Sequence, residues 1–509
     1  MDSSEREAGA DGGGAAAGAG MPQVRASRLL RTRTVWVVPI ALSAVLVFFM
    51  ALFYIGSVVN PTGHLSGLPV VLVNEDNGVA TPAGHVNVGA QVASDLLHAS
   101  AVTSRLSLDS ESLAAGEAQL NRGGAYAAIV IPAGFTSSLL SAYGLTSGAA
   151  GTAGTAAGTS AGSAAQPTIR LLTNPRAGSI GVSLATGVAQ PALSQVSAGI
   201  GRQLSAEAAK LGRTPSPRID AASPVTVTTS EFNPLPPSSA LGLSAFYISL
   251  LSILCGFMGG VVVNQSVDAA LGYGTTEIGP RWRQRMPLNI SRWQTLLTKW
   301  AVAGVGVPIL TGILLLVSIG LLGMNAPAVW ELWLFTTLAG LAIAVGTLAL
   351  FALLGSPGQL LAMLLFIYLS LASSGGTIPV QALPSFFRFV ANFEPLRQVL
   401  YGVRSILYFN AQADAGLTHG IVLTAIGLVF WVIVGVAATT WYDRRGLHRL
   451  RPEVLQYAQQ SARAYSAAKQ DPAAGDRDPV PSAGHAEPRA GKHAKPDADG
   501  EAPAPTETG

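Results

Sequence analysis

Six uninterrupted apolar runs constrain this chain more than any other feature: Val35 to Val59, Leu241 to Asn264, Trp300 to Leu322, Leu332 to Leu354, Gly358 to Ser374 and Gly420 to Thr440. A helix rises about 1.5 Å per residue and the hydrocarbon layer is about 30 Å thick, so runs of about 20 apolar residues can cross it. The pattern predicts an α-helical polytopic membrane protein of six spans, with an α/β extracytosolic domain inserted between spans 1 and 2. Composition agrees. With 49% apolar and only 12% charged residues and a mean hydropathy of +0.41, a soluble multidomain protein is excluded. The first run ends in "GSVVNPTG" and lacks the small-residue cleavage site of a signal peptide, so it is expected to stay as a span.

Arginines orient the bundle. Arg25, Arg28, Arg31 and Arg33 precede the first run, Arg281, Arg283, Arg285 and Arg292 sit between the second and third, and Arg444, Arg445, Arg449 and Arg451 follow the last. By the positive-inside rule these segments are cytosolic, which puts both termini in the cytosol of a cell whose plasma membrane holds the protein. Arg388, Arg397 and Arg404, on the opposite side, are the exception. Residues 1–24 and 443–509 are expected to be cytosolic tails, disordered except for the basic start of the second, because they cannot bury enough apolar surface to order.

Residues 60–238 alternate between strand and helix patterns. "LPVVLVNEDNG" (Leu68 to Gly78) is a buried strand ending in a turn, "VGAQVASDLLHAS" has helical spacing and "VTSRLSL" alternates. "SLAAGEAQLNRG" is helical, and "AYAAIVIPAGFTSSLLSAYG" is a strand, a proline break and a helix. After a flexible Gly/Ala tract over 147–165, "PTIRLLTNP" is a strand, Ala177 to Leu211 a long helix broken at Pro191, and "SPVTVTTSEFNPLPP" a last strand. Asn74, Glu75 and Asp76 are read as turn residues with solvated charges. They have no further carboxylate or histidine near enough in the pattern to complete a metal shell.

The region 239–442 holds the other five spans, a cytosolic loop 265–295 and an unusual segment over 375–410. The fifth run offers only about 17 residues, roughly 25 Å, so its helix is expected to stop at the glycine pair Gly375 and Gly376, inside the membrane. Backbone released at that depth needs partners from protein, which predicts a re-entrant hairpin through Pro379 and Pro384. After it, apolar residues at Phe386, Phe387, Val390 and Phe393, and at Leu396, Val399, Leu400, Val403, Ile406 and Leu407, predict two amphipathic helices at the outer surface. Arg397 and Arg404 share the polar face of the second.

These stretches carry a likeness. "LPVVLVNEDNG" after the first span, "AAIVIPAGFTSSLL" within the inserted domain, "TIRLLTNP" after it and "SGGTIPVQALPSFFRFVANFEPLRQVLYGVRSIL" before the last span resemble the YhgE/Pip-like membrane proteins of the ABC-2-type permease superfamily. A near relative is the uncharacterised bacterial group allied to the fungal nitrosoguanidine-resistance proteins. The resemblance implies a permease half that exports a substrate using a separate ABC ATPase.

No Gly-rich phosphate loop followed by Lys-Ser or Lys-Thr occurs, so any ATPase would be a second polypeptide. Among the cytosolic residues, Arg281, Trp282, Arg283, Arg285 and Arg292 are the candidates for lipid or partner contact. They mix cations with rings, as an element lying on an anionic leaflet does, and plain topology anchoring explains them equally. The resemblance adds ATPase docking. Lys299 and Glu331 are placed at span ends where snorkelling suffices, and no other ionisable residue falls inside a run, which argues against an ion-coupled pump. Glycines Gly256, Gly259, Gly260, Gly304, Gly306, Gly340 and Gly346 suit close helix packing. The lone Cys255 excludes an intramolecular disulfide, and no catalytic, cofactor-binding or metal-binding grouping is present, so no enzyme is expected. Two functions fit. One is a permease, homo- or heterodimeric in the bilayer, exporting an amphipathic, drug-like or lipid substrate. The other is a non-transporting envelope or secretion scaffold whose inserted domain binds partners. No nucleic-acid partner is expected.

Overall fold

The computed structural model describes residues 33–447 except 82–83, 146–165, 218 and 286, together with 460 and 463. The Gly/Ala tract and most of both tails therefore lie outside the described residues. The chain divides into units Met1–Arg449 and Leu450–Gly509, and the first contains both the inserted domain and the helix bundle.

The inserted domain is an α/β sandwich around one mixed sheet. Its strands are β1 (Leu68–Asn74), β2 (Leu106–Glu111), β3 (Ala127–Ile131), β4 (Thr168–Thr173) and β5 (Thr226–Glu231). Their order is β2-β1-β3-β4-β5, parallel except where β3 meets β4. Strands β1 and β3 are central and covered on both faces, which is why they read as unbroken apolar runs and not as alternating ones. Their side chains still divide by parity. Val70, Leu72, Ile129 and Ile131 pack on α2 (Val88–His98), α4 (Phe135–Ala142) and α5 (Ser179–Lys210), whereas Val71, Val73, Ala128 and Val130 pack on the side of α3 (Leu113–Asn121).

Two expectations are corrected here. Helix α5 runs through Pro191 without a break, because that proline is exposed and the missing N–H faces solvent, not core. Asp76 is not a solvated turn charge. Only 5% exposed, it accepts the amides of Gly89 (3.2 Å) and Thr136 (3.2 Å) and the Thr136 hydroxyl, tying the starts of α2 and α4 to the end of β1.

The bundle comprises α1 (Arg33–Val58), α6 (Ser244–Ala270), α7 (Arg292–Leu315, prolonged by a π-type turn to Leu321), α8 (Val329–Leu354) and α12 (Leu417–Arg444). These five are long and apolar enough to cross a membrane. The expected fifth of six runs is the shorter helix α9 (Pro357–Ser373), 17 residues, so the described structure holds five such helices. Helix α8 is the hub, with 61% of its most apolar window buried against α6, α7 and α12, while the same measure for α1 is 6%.

Helices α6 and α7 also reach further than the apolar runs, which contracts the loop expected over 265–295 to 271–291. As a result Lys299 does not snorkel. It is 6% exposed, with Nζ 2.9 Å from Asp268 Oδ1 and 2.7 Å from Asn264 Oδ1. A charge pair between two helices satisfies the ammonium inside the bundle instead.

The glycines fall into two kinds. A Cβ at Gly256 would lie 2.3 Å from the Gly340 carbonyl oxygen, so α6 and α8 touch through bare backbone, and Gly260, Gly340 and Gly346 are crowded likewise. Gly304 and Gly306 face open space, so packing does not explain them. Gly256→Val is accordingly expected to destabilise the detergent-solubilised protein by about 1–3 kcal/mol through forced separation of α6 and α8, seen as a lower melting temperature, while Gly304→Val leaves melting unchanged.

Candidate functional site

Helix α9 loosens into a π-type turn at Leu364–Leu369, where the Ser370 hydroxyl reaches the Leu365 carbonyl at 3.2 Å, and it ends at Ser373. Gly375 then takes φ +71°, and Gly376 passes so close to Phe246 of α6 that a Cβ would sit 2.1 Å from the ring. Pro379 leads into a single 3-10 turn (Val380–Ala382), and Pro384 into α10 (Ser385–Val390). Next comes α11, Pro395–Tyr408.

The order of turn, helix and helix matches the sequence pattern. The placement of α11 does not. Leu396, Val399, Leu400, Val403, Ile406 and Leu407 are all nearly or fully buried against α6, α8 and α12, so α11 is inserted into the bundle and not laid on its surface. Its apolar face meets other helices, which periodicity cannot distinguish from a bilayer. Helix α10 keeps Phe386 and Phe389 exposed, with Phe387 turned inward onto Phe53 of α1.

Glu394 caps α11. Its carboxylate accepts the amides of Leu396 and Arg397, each at 2.7 Å, ahead of Pro395 at the first helical position, and the residue is 4% exposed. It lies in the connection between α10 and α11, outside the five long spans. Burial pushes its carboxyl up to about 8, and hydrogen bonds from Ser370 and the two amides, with the Arg397 charge, pull the other way without cancelling it.

Above Glu394 opens a cavity of about 500 Å³ between α8, α9, α11 and α12. Its walls are almost wholly apolar, with Ile343, Phe366, Phe393 and Trp431 prominent. Polar residues among its lining include Glu394, Gln398 and Thr424. Gln398 Oε1 and Thr424 Oγ1 are buried with no hydrogen-bond partner among the described residues. An apolar chamber with a few convergent polar groups is the usual form of a small-molecule site. Sequence reasoning singles out none of these three residues. The signal available is Glu-Pro directly before a helical pattern, a cap and first-turn signature outside the Ser/Thr/Asp/Asn set.

The residues that the sequence does single out divide between two ends of the bundle. Arg281, Trp282 and Arg283 lie in the second strand of an antiparallel hairpin, β6 (Thr275–Ile278) with β7 (Arg281–Gln284), and Arg285 follows it. Arg281 and Arg285 are exposed. Arg292 begins α7, stacks 4.9 Å over Tyr442 and donates to the Leu447 carbonyl at 2.9 Å, joining α7 to the end of α12. Arg292, Lys299 and Asp268 line a second, polar cavity of about 500 Å³ at this end. At the other end, Gly375, Arg397 and Arg404 share one cleft beneath the α/β domain, whereas Gly376, Pro379 and Pro384 serve the turn itself.

Several contacts fasten the domain to this end, among them two made by arginines with carbonyl and hydroxyl acceptors. Arg388 of α10 donates to Ser66 Oγ (2.8 Å) and the His64 carbonyl (3.1 Å), and Arg176 donates to the Tyr408 carbonyl at the end of α11 (3.0 Å).

Five long apolar helices, one short helix followed by an inserted amphipathic one, and an α/β domain after the first helix define a polytopic membrane protein. The family model described as "ABC-2 family transporter protein" matches residues 31–436, and the chain belongs to that family. Its members are transporters, not classical enzymes, and typically work in a lipid bilayer with an ATPase. The chain is also 29% identical over 139 residues to the uncharacterized protein YhgE of Bacillus subtilis (strain 168), a match covering 26% of this chain and 18% of that one. It is a YhgE-like ABC-2 membrane protein whose matched part spans less than a fifth of that relative. No solved structure matches.

Because the Glu394 carboxyl is raised, its neutral form is the one folding favours. That stability is complete below the ordinary carboxylate range and is lost as pH rises towards 8. Melting temperature measured from pH 5 to 9 should therefore fall more steeply for the wild type than for Glu394→Gln, which cannot ionise.

Proposed function

We propose that the chain is the membrane subunit of an exporter, moving an amphipathic, drug-like or lipid molecule outward with energy from a separate ATPase. The observation that carries this reading is the apolar cavity of about 500 Å³ whose few polar lining residues include Glu394, Gln398 and Thr424. Such a chamber suits a molecule with a greasy body and one hydrogen-bonding head, because its walls are apolar apart from a few polar side chains.

In this reading both termini are cytosolic, the α/β domain is extracytosolic, and α9 reaches only part of the way across the plasma membrane. Subunits pair as a homo- or heterodimer. The hairpin bearing Arg281, Trp282, Arg283 and Arg285, with Arg292 beside it, is the contact for the ATPase or for anionic lipid. The well-packed α/β domain supports a second reading, a scaffold that binds envelope or secretion partners and transports nothing.

Gly427 separates the two. It lines the cavity, and a Cβ there would meet nothing within 4 Å, so Gly427→Phe fills the chamber without displacing a helix. Expression of this variant at normal membrane levels with efflux of a lipophilic fluorescent dye reduced about tenfold or more is expected of a transporter; unchanged efflux would sink the export reading. Affinity purification from native membranes should then recover a nucleotide-hydrolysing partner.

A further inference from the structure

A smaller cleft lies between the α/β domain and the bundle, and export through the apolar cavity makes no use of it. It encloses about 300 Å³ beside the turn after α9. Arg397, Tyr401 and Arg404 of α11 line one side, Tyr126 and Arg122 of the α/β domain the other.

Its three cations differ in what they meet. Arg122 has an acid, Asp414, at 3.7 Å. Arg397 gives two hydrogen bonds to the Tyr401 hydroxyl, at 3.2 and 3.0 Å, and one to Asn392 Oδ1 at 3.4 Å. Arg404 makes neither a hydrogen bond nor an ion pair with any described residue, although it is half-buried and its Nε is wholly withdrawn from solvent. A guanidinium stays ionised in any protein, and here only its Nε is withdrawn from water, so the two terminal nitrogens are the donors left to take an acceptor from the cleft.

The surroundings indicate what that acceptor is. Arg397 and Arg404 stand two helical turns apart on one face of α11, and both line this cleft. Burial raises the Tyr126 hydroxyl above its ordinary range, with the Arg404 charge opposing it, and so keeps a further O–H donor beside them. Among the described residues the one carboxylate lining the cleft, Asp414, is engaged by Arg122. Excess positive charge and forked donors, with no acid to spare, match a tetrahedral oxyanion.

We propose that this cleft binds a phosphoryl group, held in bidentate fashion by Arg404 and flanked by Arg397 and Tyr126. Its volume sits at the lower edge of ligand pockets, leaving room for the small molecule or headgroup that bears the phosphate. The inference stands whether or not the protein exports anything.

The test uses the full chain in an uncharged detergent and phosphate-free buffer, titrated separately with inorganic phosphate, a short-chain phosphatidylglycerol and a short-chain diacylglycerol that lacks phosphate. Binding is read from intrinsic fluorescence and melting temperature. One or both phosphate-bearing probes should bind and the diacylglycerol should not. Arg404→Gln should weaken binding about tenfold or more, the scale of a lost charge-assisted pair. Tyr126→Phe, which keeps the ring and removes one donor, should give a smaller loss in the same direction and serves if Arg404→Gln folds poorly. Binding of phosphatidylglycerol alone identifies a lipid headgroup, and binding of phosphate as well identifies a free solute. No binding of either, or equal binding by wild type and both variants, overturns the assignment.

Discussion

Buried backbone must find hydrogen-bond partners within the protein, and from Ser373 onward this chain has to meet that demand between helices. A helix of 17 residues ends before its neighbours do. The residues beyond its end meet the consequence in turn: Gly375 turns the chain, Gly376 slides under Phe246, and Glu394 takes up two of the free amides that α11 would otherwise leave buried. Helix α11 packs against both α8 and α12, which also pack on each other. The apolar cavity is the space that remains.

Most of this fold is legible in the sequence, and the misses share one cause. The alternation of strand and helix in the inserted domain emerges with its elements in the expected order, because β1 and β3 are covered on both faces, α2 and α4 carry helical stripes and α5 is a long run of small residues. Local pattern reports that a face is apolar. It does not report what covers it, so α11 reads as a surface helix although Val403 and Ile406 are wholly enclosed. The same limit hides the state of Lys299: its partner, Asp268, is 31 residues earlier on another helix, and only folding shows that the ammonium is paired and not exposed. Strand order is likewise unreadable, since β1 pairs with β2 and β3 at once through long connections.

Of the candidate site, sequence supplies the region but not the chemistry. Gly375, Arg397 and Arg404 stand out as parts of a hairpin, and they meet in one cleft. Glu394, Gln398 and Thr424 do not stand out, because each is unremarkable in its own stretch and they become a set only when α11 and α12 come together. Membership of the ABC-2 transporter family accounts for the bundle and its bilayer setting. The chemistry of the two cavities is specific to these side chains: one apolar with a few buried acceptors, the other rich in donors.

The links at Arg388 and Arg176 have a mechanical meaning. Tethered only by the ends of α1 and α6, a domain could swivel above the bundle. Contacts from α10 to residues 64–66, from the end of α11 to Arg176 and from Asp414 to Arg122 add further anchor points. Each one narrows the range over which the domain can pivot. The sheet and α11 are thereby joined through side chains as well as through the chain itself.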